Sequence, residues 1–253
     1  MRFSTLGSGS AGNATVIQQD GEAVMIDCGL SVRQIEKRLS VLEIPPQTLL
    51  AIVLTHEHDD HIAGAASFSR KHRVPVYATS GTHRGADGRL TNAYSVIEFA
   101  PEDTLEIGIF SLEPAIVPHD AREPCQFVVA ADDRRLGILT DLGTVTPHLI
   151  RHFQALDALV LEFNHDEDLL SSSPYPASLQ ARIGGQFGHL SNDQAERMLS
   201  QLDLTRITHL VAAHLSENTN SPERVKPYLG RHTPDQASWR IASQHTVLPW
   251  CEV

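Results

Sequence analysis

The chain is a succession of short apolar runs, several of which stop abruptly at ionisable residues. The sharpest case is residues 49–54 (LLAIVL), an uncharged run followed by Thr55 and then by His56, Glu57, His58, Asp59, Asp60 and His61. An uninterrupted apolar run of that length predicts a strand buried on both faces. Residues 115–117 run into His119, 136–140 into Asp141, 158–163 into Asn164 and His165, and 209–213 into His214. This pattern puts polar side chains at the carboxyl ends of buried strands, which is where open α/β sheets bind ligands.

The intervening segments read as hairpins and helices. Residues 3–6 predict a strand leading into a glycine/serine loop over 7–13. Residues 14–19 and 22–27 predict a hairpin turned at Asp20-Gly21, and residues 126–131 and 134–140 a second one turned at Asp132-Asp133. Ser31 with Gln34, and Ser191 with Gln194, have capping-box spacing, and the first predicts a helix over 32–42. Thr146 followed by Pro147 opens another helix. Residues 62–71 predict a helix, 74–79 a strand, 96–118 a strand-rich stretch, and 165–188 an excursion across the site. The tail, 239–253, predicts terminal strands packed on the first sheet. Each half carries hairpins followed by strand–helix units, so the fold class is α/β.

With 253 residues and 41% hydrophobic content, the chain suffices for one large domain. No linker interrupts it, and residues 1–253 read as a single domain. No apolar run approaches the length of a membrane span. The first residues lead straight into strand-like sequence without a signal-peptide pattern. Cys28, Cys125 and Cys251 are widely spaced and form no CxxC; they read as small buried hydrophobes in a reducing, cytoplasmic setting. The formal charge of −11 weighs against a nucleic-acid binder, which usually carries a basic face. Bound cations would offset part of that charge locally.

The spacing in the histidine loop carries the chemistry. His56 and His58 sit two apart in an extended turn and can face one point. Asp60 and His61 follow where a helix begins and point at a second. Four ligand-type side chains in so short a span suit two divalent cations a few ångströms apart, as used on phosphate esters. Imidazole plus carboxylate without thiolate suits Zn²⁺, Mn²⁺ or Fe. The glycine/serine loop is either a backbone cradle for phosphate or an ordinary turn. Arg84 and Arg89 read as solvated surface charges more readily than as phosphate contacts.

The stretch T-H-x-H-x-D-H at residues 55–61 resembles the signature of the metallo-β-lactamase superfamily. That resemblance implies a four-layer αββα sandwich of two mixed β-sheets flanked by helices. It implies His56, His58 and His119 on one metal, Asp60, His61 and His214 on the other, and Asp141 as the bridging carboxylate. Asp27 would brace the histidine loop, a role that suits a carboxylate fixing imidazole orientation. An aspartate at position 141, where the antibiotic-hydrolysing branch has cysteine, favours the branches acting on phosphodiesters and thioesters.

Further motifs resemble the WalJ (YycJ) group of DNA exonucleases. They are Ser8-Gly9-Ser10-x-Gly12-Asn13, His119-Asp120-Ala121, Leu161-Glu162-x-Asn164-His165-Asp166, Tyr175-Pro176 with Arg182-Ile183, Gly188-His189-Leu190-Ser191-Asn192 and His214-Leu215-Ser216-x-Asn218. The group implies a 5′-to-3′ exonuclease on double-stranded DNA, linked to mismatch repair, using a hydroxide that bridges two metals. Asp60, Glu162 and His189 are the expected catalytic residues. Glu162 and His189 resemble the carboxylate–histidine pair of the tRNA 3′-processing branch. Ser8, Ser10, Asn13, Asn164, His165 and Arg182 are candidate substrate contacts, and His165 and Arg182 read equally well as structural hydrogen-bonding groups. Phe163 and Cys125-Gln126 depart from the group's pattern and are expected to touch substrate-facing regions. The alternative function is a phosphodiesterase on RNA ends or small-molecule phosphodiesters. A non-catalytic binding domain is disfavoured because every expected ligand is present.

Overall fold

A computed structural model describes all 253 residues. The first half contains β1 (Arg2–Gly7), β2 (Ala14–Gln19), β3 (Glu22–Ile26), α1 (Val32–Val41), β4 (Leu49–Val53), α2 (Asp59–Ile62), α3 (Ala65–His72), β5 (Val76–Thr79), α4 (Ser80–Gly85) and β6 (Val96–Phe99). The second half contains β7 (Leu105–Ile107), β8 (Phe110–Ile116), β9 (Cys125–Ala131), β10 (Arg134–Leu139), α5 (Pro147–His152), β11 (Ala158–Glu162), α6 (Glu167–Ser171) and α7 (Ala177–Ile183). It continues with α8 (Asn192–Leu199), β12 (His209–Ala213), α9 (Pro222–His232), β13 (Ser238–Ile241) and β14 (Cys251–Glu252).

The strands form two sheets of seven, ordered β14-β1-β2-β3-β4-β5-β6 and β13-β12-β11-β10-β9-β8-β7. Each mixes antiparallel hairpins with parallel pairs, such as β3 with β4 and β10 with β11. The alternation within single strands explains the layering. On β4, Ala51 and Val53 face the other sheet with Phe3, Phe127 and Val160, while Ile52 packs with Ile35, Leu39 and Phe68 of the covering helices. On β11, Val160 joins the inter-sheet core, and Leu159 and Leu161 join Leu149, Phe153 and Leu210 on the outer side. Two sheets packed face to face, each covered by helices, give the four-layer αββα sandwich.

Local chemistry sets the connections. Asp20 and Gly21 both take positive φ (50° and 86°), as a tight hairpin turn requires. Both capping boxes form, Ser31 with Gln34 and Ser191 with Gln194. Two expectations are corrected. The helix expected over 62–71 is split, with Ile62 ending α2 and α3 starting at Ala65. Gly64 lies between them against the backbone of Leu30, where any Cβ would stand 2.0 Å from the Leu30 carbonyl oxygen. The tail does not pack wholly on the first sheet. β13 extends the second sheet parallel to β12, and only β14 joins the first, beside β1. The β12–α9–β13 crossover provides the parallel partner.

Candidate metal centre

The side chains that end the apolar runs converge at one rim of the sandwich. His56, His58, Asp60 and His61 come from the loop and short helix after β4, His119 follows β8, Asp141 follows β10, and His214 follows β12. Both sheets therefore contribute. Asp27, Asp141 and His214 adopt left-handed backbone with φ of 60°, 53° and 55°. Residues without glycine's freedom take this region at a cost, and such strain concentrates at functional sites. Gly29 permits the close approach of the loop: a Cβ there would stand 1.7 Å from the Asp60 carbonyl oxygen.

Two groups of ligand atoms emerge. In the first, His56 Nε2 lies 3.0 Å from His58 Nδ1, and His119 Nε2 lies 3.2 Å from the same atom. In the second, His61 Nε2 and His214 Nε2 each stand 3.4 Å from Asp60 Oδ2. Asp141 sits between them, with Oδ2 3.2 Å from His61 Nε2 and Oδ1 3.4 Å from His214 Nδ1.

Outer partners assign the protons. Asp27 accepts from the Thr55 backbone N–H and hydroxyl, and its Oδ2 lies 2.8 Å from His61 Nδ1. Because the Thr55 hydroxyl gives its proton to Asp27, it accepts from His56 Nδ1 at 2.9 Å. His119 Nδ1 donates to the Gly188 carbonyl at 3.0 Å, and His214 Nδ1 donates to Glu162 Oε1 at 3.0 Å. Four imidazoles thus have an outer partner for an Nδ1 proton and turn Nε2 inward, the orientation a metal ligand needs.

The electrostatics differ between the groups. Burial and the neighbouring His61 push His56 well below the ordinary histidine range, and burial lowers His119 as well. In the second group burial opposes charge too, but carboxylates outweigh it. Asp141, Asp27 and Asp60 hold His61 well above its ordinary value, and Asp141, Asp60 and Glu162 raise His214 to about 10. The carboxylates respond in kind. Against burial, His214 and His61 hold Asp141 well below its usual range, His61 and His214 lower Asp60, and His189 and His214 bring Glu162 down to about 2.

The residues fit divalent cations. A single proton on His58 Nδ1 could serve only one of the two bare nitrogens that face it. Asp141 Oδ2 is fully buried and has no well-formed hydrogen bond, only His61 Nε2 at 3.2 Å. Such an oxygen is costly unless a cation meets it. Ligand atoms of His56, His58 and His119, of Asp60, His61 and His214, and of His56, His61 and Asp141 each lie within 4.8 Å of one another. Asp141 belongs with both groups, as a bridging carboxylate would.

Beside the ligands, His189 Nδ1 donates to Glu162 Oε1 at 2.9 Å, and its ring lies 5.2 Å from those of both His119 and His214. Burial opposes a charge on His189, but Glu162 outweighs it and raises its pKa. The candidate substrate contacts divide by position. Asn13 donates to Asp60 Oδ2 at 3.1 Å and holds the glycine/serine loop through Gly9, and Ser8 Oγ accepts from the His214 backbone N–H at 2.8 Å. Asn164 donates to the His214 carbonyl. These three brace ligands, whereas Ser10 is exposed. His165 is buried with Nδ1 unpartnered. Arg182 is paired at 2.5 Å with Asp120, whose other oxygen is 3.7 Å from His58 Nε2. Arg89 pairs with Asp59.

The expectation that Phe163 and Cys125-Gln126 touch substrate is corrected. All three are fully buried. Phe163 packs in the core with Leu190, Val225 and Leu229, and Gln126 is bound to the Thr140 backbone. A residue directly following an apolar strand can turn into the core as easily as into the site. Sequence reasoning gave no role to Thr55, Asp120 or the Gly188 carbonyl. Thr55 and Asp120 lay inside quoted motifs, but a backbone carbonyl leaves no side-chain signal.

The pattern of the metallo-beta-lactamase superfamily matches residues 7–198. The chain belongs to the metallo-beta-lactamase superfamily. It is 32% identical over 228 residues to exodeoxyribonuclease YycJ of Bacillus anthracis, covering 89% of this chain and 86% of that protein. It is 33% identical over 228 residues to exodeoxyribonuclease WalJ of Streptococcus pneumoniae, covering 88% and 84%. Among solved structures, zinc-bound PqqB of Methylobacterium extorquens superposes with a TM-score of 0.75 at 17% identity, over 98% of this chain and 99% of that one, which bears on the fold alone. No helix is long and apolar enough to cross a membrane.

Proposed function

We propose that the protein is a binuclear metal-dependent exonuclease that removes nucleotides from the 5′ ends of double-stranded DNA, a cytoplasmic activity suited to DNA repair. The observation that carries this reading is the convergence of seven ligand side chains in a chain one-third identical to two exodeoxyribonucleases over most of their length. His56, His58 and His119 would hold one cation, Asp60, His61 and His214 the other, with Asp141 shared and Zn²⁺ or Mn²⁺ the favoured ions. When bound, such ions polarise a phosphodiester and supply a water-derived nucleophile at neutral pH.

The chain's own groups do the rest. Asp27, Thr55, Glu162 and the Gly188 carbonyl fix the imidazole orientations, so the ligand set is pre-formed. His189 stands between the two groups, its Nδ1 proton held by Glu162 and its Nε2 free to carry a second. It donates that proton to the leaving oxygen as general acid, and Glu162 stabilises the imidazolium. Arg182, tied to Asp120 at the mouth, offers a cation to a flanking phosphate.

The test uses metal-stripped protein reloaded separately with Mn²⁺ and Zn²⁺. Its substrates are duplex DNA labelled at either 5′ end, single-stranded DNA, RNA and a small chromogenic phosphodiester. Progressive release from duplex 5′ ends, lost in Asp60→Ala and weakening steeply with salt, is the expected result. Cleavage of RNA ends or of the small ester alone would replace this reading with the narrower phosphodiesterase.

A further inference from the structure

The excursion after β11 ends at residues 183–189, and this stretch is fixed to the site from both sides. The Phe187 carbonyl accepts from Asp120 N–H at 2.9 Å, the Gly188 carbonyl from His119 Nδ1 at 3.0 Å, and the Gln186 carbonyl from the Thr144 hydroxyl at 2.9 Å. His189 N–H donates to Ile183 at 2.8 Å. Gly143 packs so closely that a Cβ would lie 2.5 Å from Gln186 and Gly188 backbone atoms. The backbone of Phe187 is therefore as constrained as the ligands it touches. Its side chain is nevertheless 59% exposed.

A single exposed apolar residue is ordinary on a protein surface. Phe187 differs by its attachment. It lies two residues from His189, and its backbone and that of Gly188 hold the His119–Asp120 pair. The backbone that carries this exposed ring is thus fixed beside the reacting centre. Aromatic faces held beside a nucleic-acid track take an unstacked base, because every base presents a π-face. Where a duplex end frays at the site, an aromatic surface compensates for the lost stacking.

We propose that Phe187 is the stacking platform for the substrate base next to the scissile phosphodiester, making the site selective for nucleic acid over small diesters. This rests on the nucleic-acid reading above. It requires only the ring, with no ionisable group and no added ligand.

The experiment compares wild type with Phe187→Ala, Phe187→Leu and Phe187→Trp, all reloaded with Mn²⁺ and matched for metal content, on duplex DNA and on the small chromogenic phosphodiester. Val41→Ala, an exposed apolar residue on α1, serves as control. The expected result is a rise in KM for DNA of roughly tenfold in the Ala and Leu variants, with the small ester unaffected. Phe187→Trp restores DNA cleavage, and its indole emission falls when duplex is added with Ca²⁺ in place of Mn²⁺. Wild-type KM for DNA in Phe187→Ala overturns the stacking role alone, as does an equal loss on both substrates. Wild type that cleaves the ester and no nucleic acid overturns both the stacking role and the reading beneath it.

Discussion

The two ligand groups sit side by side yet differ in how they could exist without metal. The group of His56, His58 and His119 is all imidazole, and its buried members are pushed toward the neutral form. Its nitrogens face one another at 3.0 and 3.2 Å, with Asp120 Oδ1 at their edge, 3.7 Å from His58 Nε2 and 3.5 Å from His119 Nε2, and Asp141 shared with the other group. The group of Asp60, His61 and His214 interleaves imidazoles with Asp27, Asp60, Asp141 and Glu162, so raised histidines and lowered carboxylates compensate each other. Pre-organisation is thus reached in two ways. One group is ordered by outer hydrogen bonds and completed by a cation, and the other is a charge network that a cation replaces proton by proton.

Several experiments would break or sharpen this contrast. Chelation should abolish all hydrolysis, with recovery on reloading, because neither group can activate water alone. Next, His58→Ala and Asp60→Ala should each lower bound metal from two ions to one per chain, read by elemental analysis. Each should reduce kcat on the order of 10³-fold, given that one ion supplies several kcal/mol. An Asp60→Ala protein that keeps both ions would erase the division into two groups. His189→Ala should keep both metals and lose about 10² to 10⁴ in kcat on DNA, with a smaller loss on an ester whose leaving group needs no proton. Equal losses on both would remove the general-acid role. Asp27→Asn leaves the ligands intact but weakens the brace on His61 directly and on His56 through Thr55, and should cost about 10- to 100-fold in metal affinity, more for the ion of His61 than for that of His56.

The smallest effect is a pH dependence of opposite sign in the two states. His214 is raised from 6.5 to about 10 in the metal-free protein, so its stabilising contribution is complete below about pH 6.5 and is lost as pH rises toward 10. Thermal melts of chelated protein should therefore fall across that window. Melts of loaded protein should hold or rise, since deprotonated imidazoles bind metal better. A flat chelated series would show that His214 is not held protonated.

Much of this was legible beforehand because strand burial and ligand chemistry leave unambiguous traces. The run at 49–54 announced a strand buried on both faces, and the polar residues that end such runs were brought together. The capping boxes and Asp20-Gly21 encode their own geometry. What escaped lay where the outcome depends on a distant partner. Gly64 lies against the Leu30 backbone where the expected helix is split, β13 joins β12 across the α9 crossover, and Phe163 turned into the core instead of the site. The brace from the Gly188 carbonyl to His119 is a backbone contact 69 residues apart in sequence and has no residue-type signature.

The division of ligands between the sheets also orders events in time. The loop after β4 belongs to the first sheet, while His119, Asp141 and His214 hang from the second. Each sheet can pair its own strands before the sandwich closes. The bridging position of Asp141, however, comes into being only when the two sheets dock, a step dominated by contacts distant in the chain and therefore slow. Uptake of the shared ions should be the last event of refolding, lagging the recovery of strand signal, so that metal occupancy acts as a clock for final assembly.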